Sequence, residues 1–246
     1  MGKNGSREIE FSSTVAVLLS GGLDSVILLG HLLRQSVRVQ PLYVRCGLVW
    51  EGAEQTAVRK LLSALSCPQL LSLVTLEFPV GDLYGDHWSI TGQCVPAGDS
   101  PAEAVFLPGR NVCLLVKAGI WCALQGINQL ALGVLGTNPF SDAQPRFFSI
   151  VEEVVRQSLG KSLRIIAPFG QMTKAEVMEL GRDLPLELSF SCIAPEDGLH
   201  CGRCNKCAER KEAFALAGLV DRTCYYFAPE HTNGMLPSPS KIRLGE

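Results

Sequence analysis

The fifteen residues from Val15 to Leu29, VAVLLSGGLDSVILL, constrain this chain more than any other stretch. An apolar run stops at Ser20-Gly21-Gly22, admits one aspartate at position 24, and resumes with a helical period. Thr14 to Leu19 reads as a buried strand, and Ser25 to Gln35 as a helix with Val26, Leu29, Leu32 and Leu33 on one side. The two glycines let the backbone turn sharply and approach a ligand without a Cβ clash, and the free amides at the helix start form an anion nest. Strand, glycine turn and helix together place a phosphate-binding loop at the carboxyl edge of a sheet, where open α/β folds bind their ligands.

The rest of the chain repeats the alternation. Strands are expected over 37–44, 70–78, 129–135 and 162–166, and helices over 52–65, 111–124, 150–159 and 174–183. Such order argues for a doubly wound, mostly parallel sheet with helices on both faces. Residues 79–108 form a long connection rich in Gly, Pro and Asp, a length that in a compact domain usually signals function. The expected organisation is an α/β nucleotide-binding domain over 1–189, a four-cysteine segment with a C-terminal helix over 190–226, and a Pro/Ser-containing tail over 227–246.

Composition excludes several classes. With 246 residues, 47% hydrophobic, and a net charge of −2, the chain can bury one substantial core but offers no basic field for a run of nucleic-acid phosphates. No apolar run reaches the roughly 18 residues of a membrane span, and the polar start MGKNGSREIEFSST lacks the apolar centre of a secretory signal. A cytoplasmic protein with a small-molecule substrate is expected, which makes Asn4-Gly5-Ser6 a chance sequon and the ten cysteines thiols or metal ligands.

Four of those cysteines have metal spacing: Cys192-x8-Cys201-x2-Cys204-x2-Cys207. Four thiolates suit a closed tetrahedral zinc site, with Gly198 and Gly202 allowing the tight turns. An iron-sulfur cluster fits less well, and His200 is a substitute ligand. Four protein ligands leave no open position, so the metal is structural. Cys46, just after the second strand, has the look of a thiolase nucleophile, but nothing nearby except Arg45 lowers its pKa; Cys67, Cys94, Cys113, Cys122 and Cys224 lack partners at metal spacing and read as packing thiols. His31 reads as a packed or surface residue, and His87 as a loop residue within reach of substrate.

Three phosphate loops compete for 20–25. Gly160-Lys161-Ser162 has Val155 where a Walker A loop needs its first glycine, and Gly21-Gly22 does not supply G-x-G-x-x-G. Ser20-Gly21-Gly22-Leu23-Asp24-Ser25 instead resembles the S-G-G-x-D-S loop of the ATP pyrophosphatases, an adenylating superfamily of Rossmann-like PP-loop proteins. With Leu107-Pro108-Gly109-Arg110-Asn111, Thr173-Lys174-Ala175-Glu176 and the four cysteines, the order from about Val15 to Cys207 is similar to that of the 7-cyano-7-deazaguanine synthase family.

That resemblance implies an ATP-dependent carbon-nitrogen ligase of queuosine biosynthesis. It would adenylate 7-carboxy-7-deazaguanine, couple it to ammonia, and activate the amide again to give the nitrile 7-cyano-7-deazaguanine. ATP would be held by Ser20, Gly21, Gly22, Leu23, Asp24, Ser25, Arg110, Asn111 and Lys174. Mg²⁺ would sit at or near Asp24 to offset phosphate charge, and Asp24, Arg110 and Lys174 would carry the catalysis, with no protein nucleophile. The resemblance also suggests a homodimer.

Two segments depart from the family pattern. Val44 to Trp50 stands where a D-Y-G-Q-[RK]-H type sequence is usual, and 137–146 replaces an acidic, glycine-bearing segment. Both are expected near the strand ends that face the nucleotide, with Trp50, Phe140, Asn138 and Asp142 forming the acceptor wall. The departures keep alternatives open: adenylation of a different carboxylate, such as a peptide terminus or another heterocyclic acid, a tRNA-modifying thiolase, or a regulator that binds nucleotide without catalysis.

Overall fold

The structure, a computed structural model, describes residues 11–227. The sequon at Asn4 and the tail from 228 onward lie outside the described residues. The elements are β1 (Thr14–Leu18), α1 (Leu23–Arg34), β2 (Arg38–Arg45), α2 (Glu51–Ala64), β3 (Val74–Glu77), α3 (Gly81–Tyr84), α4 (Trp88–Thr91), α5 (Arg110–Gln125), β4 (Gln129–Ala131), α6 (Pro145–Leu159), β5 (Arg164–Ile166), α7 (Lys174–Leu180) and α8 (Asn205–Leu216). The five strands form one parallel sheet in the order β3-β2-β1-β4-β5, with the chain reversing direction of travel at β1. The carboxyl edge between β1 and β4 is therefore the switch point at which such sheets open a crevice.

Alternation along β1 divides the core in two. Val15 and Val17 pack with α1, α7 and α8 on one face. Ala16 faces the other way, into Leu115 and Ala118 of α5 and Val151 and Val155 of α6. A third cluster joins the end of β2 to the four-cysteine segment and the long connection.

Element boundaries differ from the sequence expectation for local reasons. The strand expected over 70–78 is regular only at Val74–Glu77, with Leu70 touching Val39 as an isolated bridge. The strand expected over 129–135 stops at Ala131, because Gly133 presses against the start of α1: a Cβ there would lie 2.8 Å from the Asp24 carbonyl carbon and oxygen. The helix expected from 150 begins at Pro145, whose fixed φ and absent N–H suit the first helical turn. The helix expected to reach Asp183 ends at Leu180, capped by Gly181. The long connection 79–108 holds α3, α4 and a 3-10 turn at Ala102–Val105.

Candidate functional site

A cavity of about 280 Å³ opens at the carboxyl edge, over the turn from β1 to α1. Gly21 makes that turn with φ +80°, a conformation that L side chains rarely adopt, and a Cβ there would lie 2.8 Å from Val58 Cγ2 of α2. Ser25 Oγ donates to the Gly22 carbonyl at 3.0 Å and lies 3.3 Å from Ser20 Oγ, which fixes the loop. Gly22, at the N-cap of α1, has no side chain to cap the helix, so the first-turn amides remain for a ligand.

The other motifs converge on this cavity. Thr173 and Glu176 form a capping box at the start of α7: Thr173 N donates to Glu176 Oε2 at 2.7 Å, and Glu176 N donates to Thr173 Oγ1 at 3.3 Å. The capped turn presents Lys174, whose Nζ donates to both Asp24 oxygens, at 2.6 and 2.8 Å. Gly109, with φ +71°, turns the chain into α5 and brings Arg110 and Asn111 to the opposite wall. Arg110 Nε is buried without a hydrogen-bond partner among the described residues. Leu18, Leu42, Val44 and Leu132 supply apolar lining at the strand ends.

A smaller cavity of about 180 Å³ shares Arg110, Asn111 and Lys206 with the first. Phe106 and Phe140 stack beside it with ring centroids 5.0 Å apart, and Asn138 and Asp142 supply polar atoms. Asn111 Nδ2 donates to the Asp142 carbonyl at 3.3 Å, tying the two cavities' walls together. Trp50 corrects the sequence expectation: it is buried, stacks on Trp88 at 5.7 Å, and lines neither cavity. The cause is Glu51, which accepts from the Cys46 and Gly47 amides at 2.7 and 2.9 Å and curls segment 44–50 inward. His87 likewise lines neither cavity; it caps α4 by accepting from Ser89 N at 3.3 Å. Burial pushes the Cys46 thiol up to about 11, unsuited to a nucleophile.

Several cavity residues escaped the sequence reading, three of them buried and polar. Glu54 and Tyr43 are both buried, and Tyr43 Oη donates to Glu54 Oε2 at 2.5 Å. Burial pushes the Glu54 carboxyl up to about 7, against the opposing pull of the Tyr43 hydrogen bond and the Arg110 charge. A signal was present: the buried positions of α2 are Glu51, Glu54, Val58 and Leu61, so acids stand on the stripe a helix normally fills with apolar residues. The third, Arg210 of α8, is 1% exposed and reaches the cavity wall from the four-cysteine segment. It donates to Ser189 Oγ, the Leu186 carbonyl and Thr223 Oγ1 at 2.7–2.8 Å.

The sulfurs of Cys192, Cys201, Cys204 and Cys207 are all buried and lie within 4.8 Å of one another, a donor set that fits zinc. Backbone amides of Ala194, Cys201, Gly202, Arg203 and Cys204 donate to these sulfurs at 3.2–3.4 Å, the outer shell that thiolate ligands require. Hydrogen bonding to the neighbouring sulfurs, with burial, holds the Cys192 thiol above its ordinary pKa; a cation removes that penalty. His200 is not among the ligands. Its Nε2 accepts from Ser191 N at 3.2 Å, and its ring packs against Phe190 and Tyr225.

A parallel α/β sheet with a glycine-turned strand-to-helix loop at its switch point and a closed thiol cluster beside it is a PP-loop type of α/β architecture. The chain matches the family model described as queuosine biosynthesis protein QueC over residues 14–218, and it belongs to that family. It is 32% identical over 207 residues to 7-cyano-7-deazaguanine synthase 1 of Desulfitobacterium hafniense (strain Y51), covering 82% of this chain and 91% of that protein. It is 31% identical over 221 residues to the 7-cyano-7-deazaguanine synthase of Azoarcus sp. (strain BH72), covering 85% and 95%. It is 28% identical over 235 residues to that of Leptospira interrogans serogroup Icterohaemorrhagiae serovar copenhageni (strain Fiocruz L1-130), covering 89% and 94%. Among the described residues no helix is long and apolar enough to cross a membrane.

Proposed function

We propose that this chain uses ATP to convert 7-carboxy-7-deazaguanine and ammonia into 7-cyano-7-deazaguanine. The observation that carries the reading is the convergence of the phosphate loop, Arg110 and Lys174 on one cavity, in a chain whose relatives bear the synthase name. A carboxylate is a poor electrophile. Attack of its oxygen on the α-phosphorus of ATP releases pyrophosphate and makes AMP the leaving group, and ammonia then displaces AMP to give the amide. A second adenylation, at the amide oxygen, followed by loss of AMP and the remaining N–H protons, gives the nitrile.

The protein supplies position and charge. Residues 20–25 cradle the phosphates through backbone amides, and Lys174 and Arg110 stand where the departing pyrophosphate and the adenylate carry negative charge. Mg²⁺ held near Asp24 would offset phosphate charge. Asn111 and the Phe106–Phe140 stack form the acceptor side, with Asn138 and Asp142 suited to the polar edge of a flat base. One structural zinc per chain, on the four cysteines, would hold the 190–226 segment so that Lys206 and Arg210 of α8 complete a wall of the 1–189 nucleotide-binding domain. A cytoplasmic homodimer without stable nucleic-acid binding completes this reading.

The test is release of AMP and pyrophosphate from ATP with ammonium, across a panel of deazapurine acids, small carboxylates and tRNA, with the nitrile identified by mass spectrometry. AMP release that ignores the deazapurine acid would overturn the acceptor. A second reading, adenylation of another heterocyclic acid or a peptide terminus, draws support from the departure at 44–50, where Trp50 is buried. The same panel separates it.

A further inference from the structure

Formation of the amide has a proton problem that the phosphate-binding residues do not solve. Ammonia attacks with its lone pair, and the nitrogen of the adduct is then positively charged and must lose a proton before the carbon–oxygen bond to AMP breaks. Lys174 and Arg110 are donors with no capacity to accept that proton at neutral pH, and both oxygens of the Asp24 carboxylate are already taken by Lys174 Nζ.

Glu54 has that capacity. It lies on the cavity wall at 6% exposure, its Cγ 3.6 Å from where a Cβ of Gly21 would stand, directly behind the phosphate loop. Its Oε2 accepts from Tyr43 Oη at 2.5 Å, while Oε1 accepts no hydrogen bond among the described residues. No basic group forms an ion pair with it among the described residues. The groups that act on it are Tyr43 of β2, Arg110 of α5 and, from its own helix, Glu51, whose carboxylate is already engaged by two backbone amides. Tyr43 thus orients the carboxyl and leaves its second oxygen unpaired, among the described residues, on a residue that lines the cavity.

We propose that Glu54, oriented by Tyr43, binds the nitrogen donor beside the phosphate loop and takes the proton it loses on attack. The inference rests on the amination reading above. The nitrogen lone pair forms the C–N bond as the carbonyl electrons move to oxygen, Oε1 accepts one N–H proton, and the C–O bond to AMP breaks with its electron pair leaving on AMP. Glu54 then returns the proton to solvent. A carboxyl pushed up to about 7 by burial is a stronger base than an ordinary carboxylate and keeps an ionised population at neutral pH.

The full chain separates this step from adenylation. Exchange of labelled pyrophosphate into ATP, dependent on 7-carboxy-7-deazaguanine, reads the first step; amide formed from ammonium chloride, or hydroxamate from hydroxylamine, reads the second. Glu54→Gln keeps the shape and should lower nitrogen transfer at least about 100-fold while exchange falls no more than about 3-fold. With hydroxylamine, the wild-type transfer rate should rise with pH through an apparent pKa near 7, and that limb should vanish in Glu54→Gln. Tyr43→Phe should move the limb upward, since the tyrosine hydrogen bond holds the carboxylate down. An equal fall of exchange and transfer would make Glu54 a brace for the phosphate loop and overturn the proposal, as would a limb that persists in Glu54→Gln. Wild-type protein showing no acid-dependent exchange would overturn the adenylation reading and this inference with it.

Discussion

Lys174 Nζ spans both carboxylate oxygens of Asp24, at 2.6 and 2.8 Å, across 150 residues of sequence. The contact joins the first turn of α7 to the first turn of α1, so a cation is fixed beside the phosphate loop by the acid of the loop itself. Both side chains are about a third exposed, at 32% and 27%, and a pair of that kind adds only about 0–1 kcal/mol to stability. Its value lies in position.

Lys174→Met should therefore lower acid-dependent AMP formation by roughly 100-fold or more while shifting the melting temperature by no more than about 3 °C. Lys174→Arg should recover part of the loss, because it restores charge without the compact geometry of an ammonium group. Steady-state AMP release with differential scanning calorimetry checks both. Near wild-type turnover in Lys174→Met would remove the pair from the mechanism.

The thiol cluster makes a prediction about folding. The four sulfurs are buried at the centre of the segment, take five backbone amide donors, and share an apolar cluster with the end of β2. Because the binding free energy of such a site is of order 10 kcal/mol and is largely folding free energy, Cys204→Ala should express poorly or open locally. Arg210 would then lose its place on the cavity wall, since α8 begins at the cluster. Elemental analysis should find one zinc per chain, and chelation should abolish AMP formation together with hydrogen-exchange protection of α8. Stoichiometric iron, or a folded and active metal-free protein, would contradict this.

Much of this was legible in the sequence because it is local. The glycine turn from β1 into α1, the capping box around Lys174 and the cysteine spacing each occupy a few consecutive residues, and each sits where strand-turn-helix or turn geometry demands it. What was not legible depends on packing between distant segments. Gly133 shortens β4 because it meets the Asp24 backbone, a contact that no window around 133 contains. Trp50 follows a strand at the carboxyl edge and so reads as a cavity residue, but Glu51 turns the chain and buries it against Trp88. Phe106 joins Phe140 only through the path of the long connection.

Glu54 links the site to stability through pH. Its carboxyl stands near 7 in the folded protein against an ordinary 4.5, so folding takes up a proton between those values. The stability that burial gives the protonated carboxyl over the ionised one is complete below about 4.5 and is lost as pH rises through 7. Glu54→Gln cannot ionise. The stability difference between variant and wild type, read from urea unfolding, should change in the variant's favour by up to about 3 kcal/mol between pH 5 and pH 8. Parallel stability curves for the two proteins would show that Glu54 does not titrate in this range.

The acceptor side carries the last prediction. Asn138, Phe140 and Asp142 line the smaller cavity, which meets the larger one at Arg110, Asn111 and Lys206, so under the proposed function an acid seated there would present its carboxylate toward residues 20–25. A flat deazaguanine would lie along the Phe106–Phe140 pair and offer ring N–H groups to Asp142. Losing a hydrogen bond to a charged partner costs about 1.5–3 kcal/mol, so Asp142→Ala should raise the KM for 7-carboxy-7-deazaguanine by roughly 10–100-fold. Phe140→Ala should raise it by about 10-fold through lost stacking surface. In both variants the Kd for ATP, measured by calorimetry without the acid, should change less than about 3-fold, because the phosphate loop and Lys174 are untouched. A KM that stays constant while the ATP affinity falls would mean that 137–146 serves the nucleotide and that the acceptor binds elsewhere along the cavity wall.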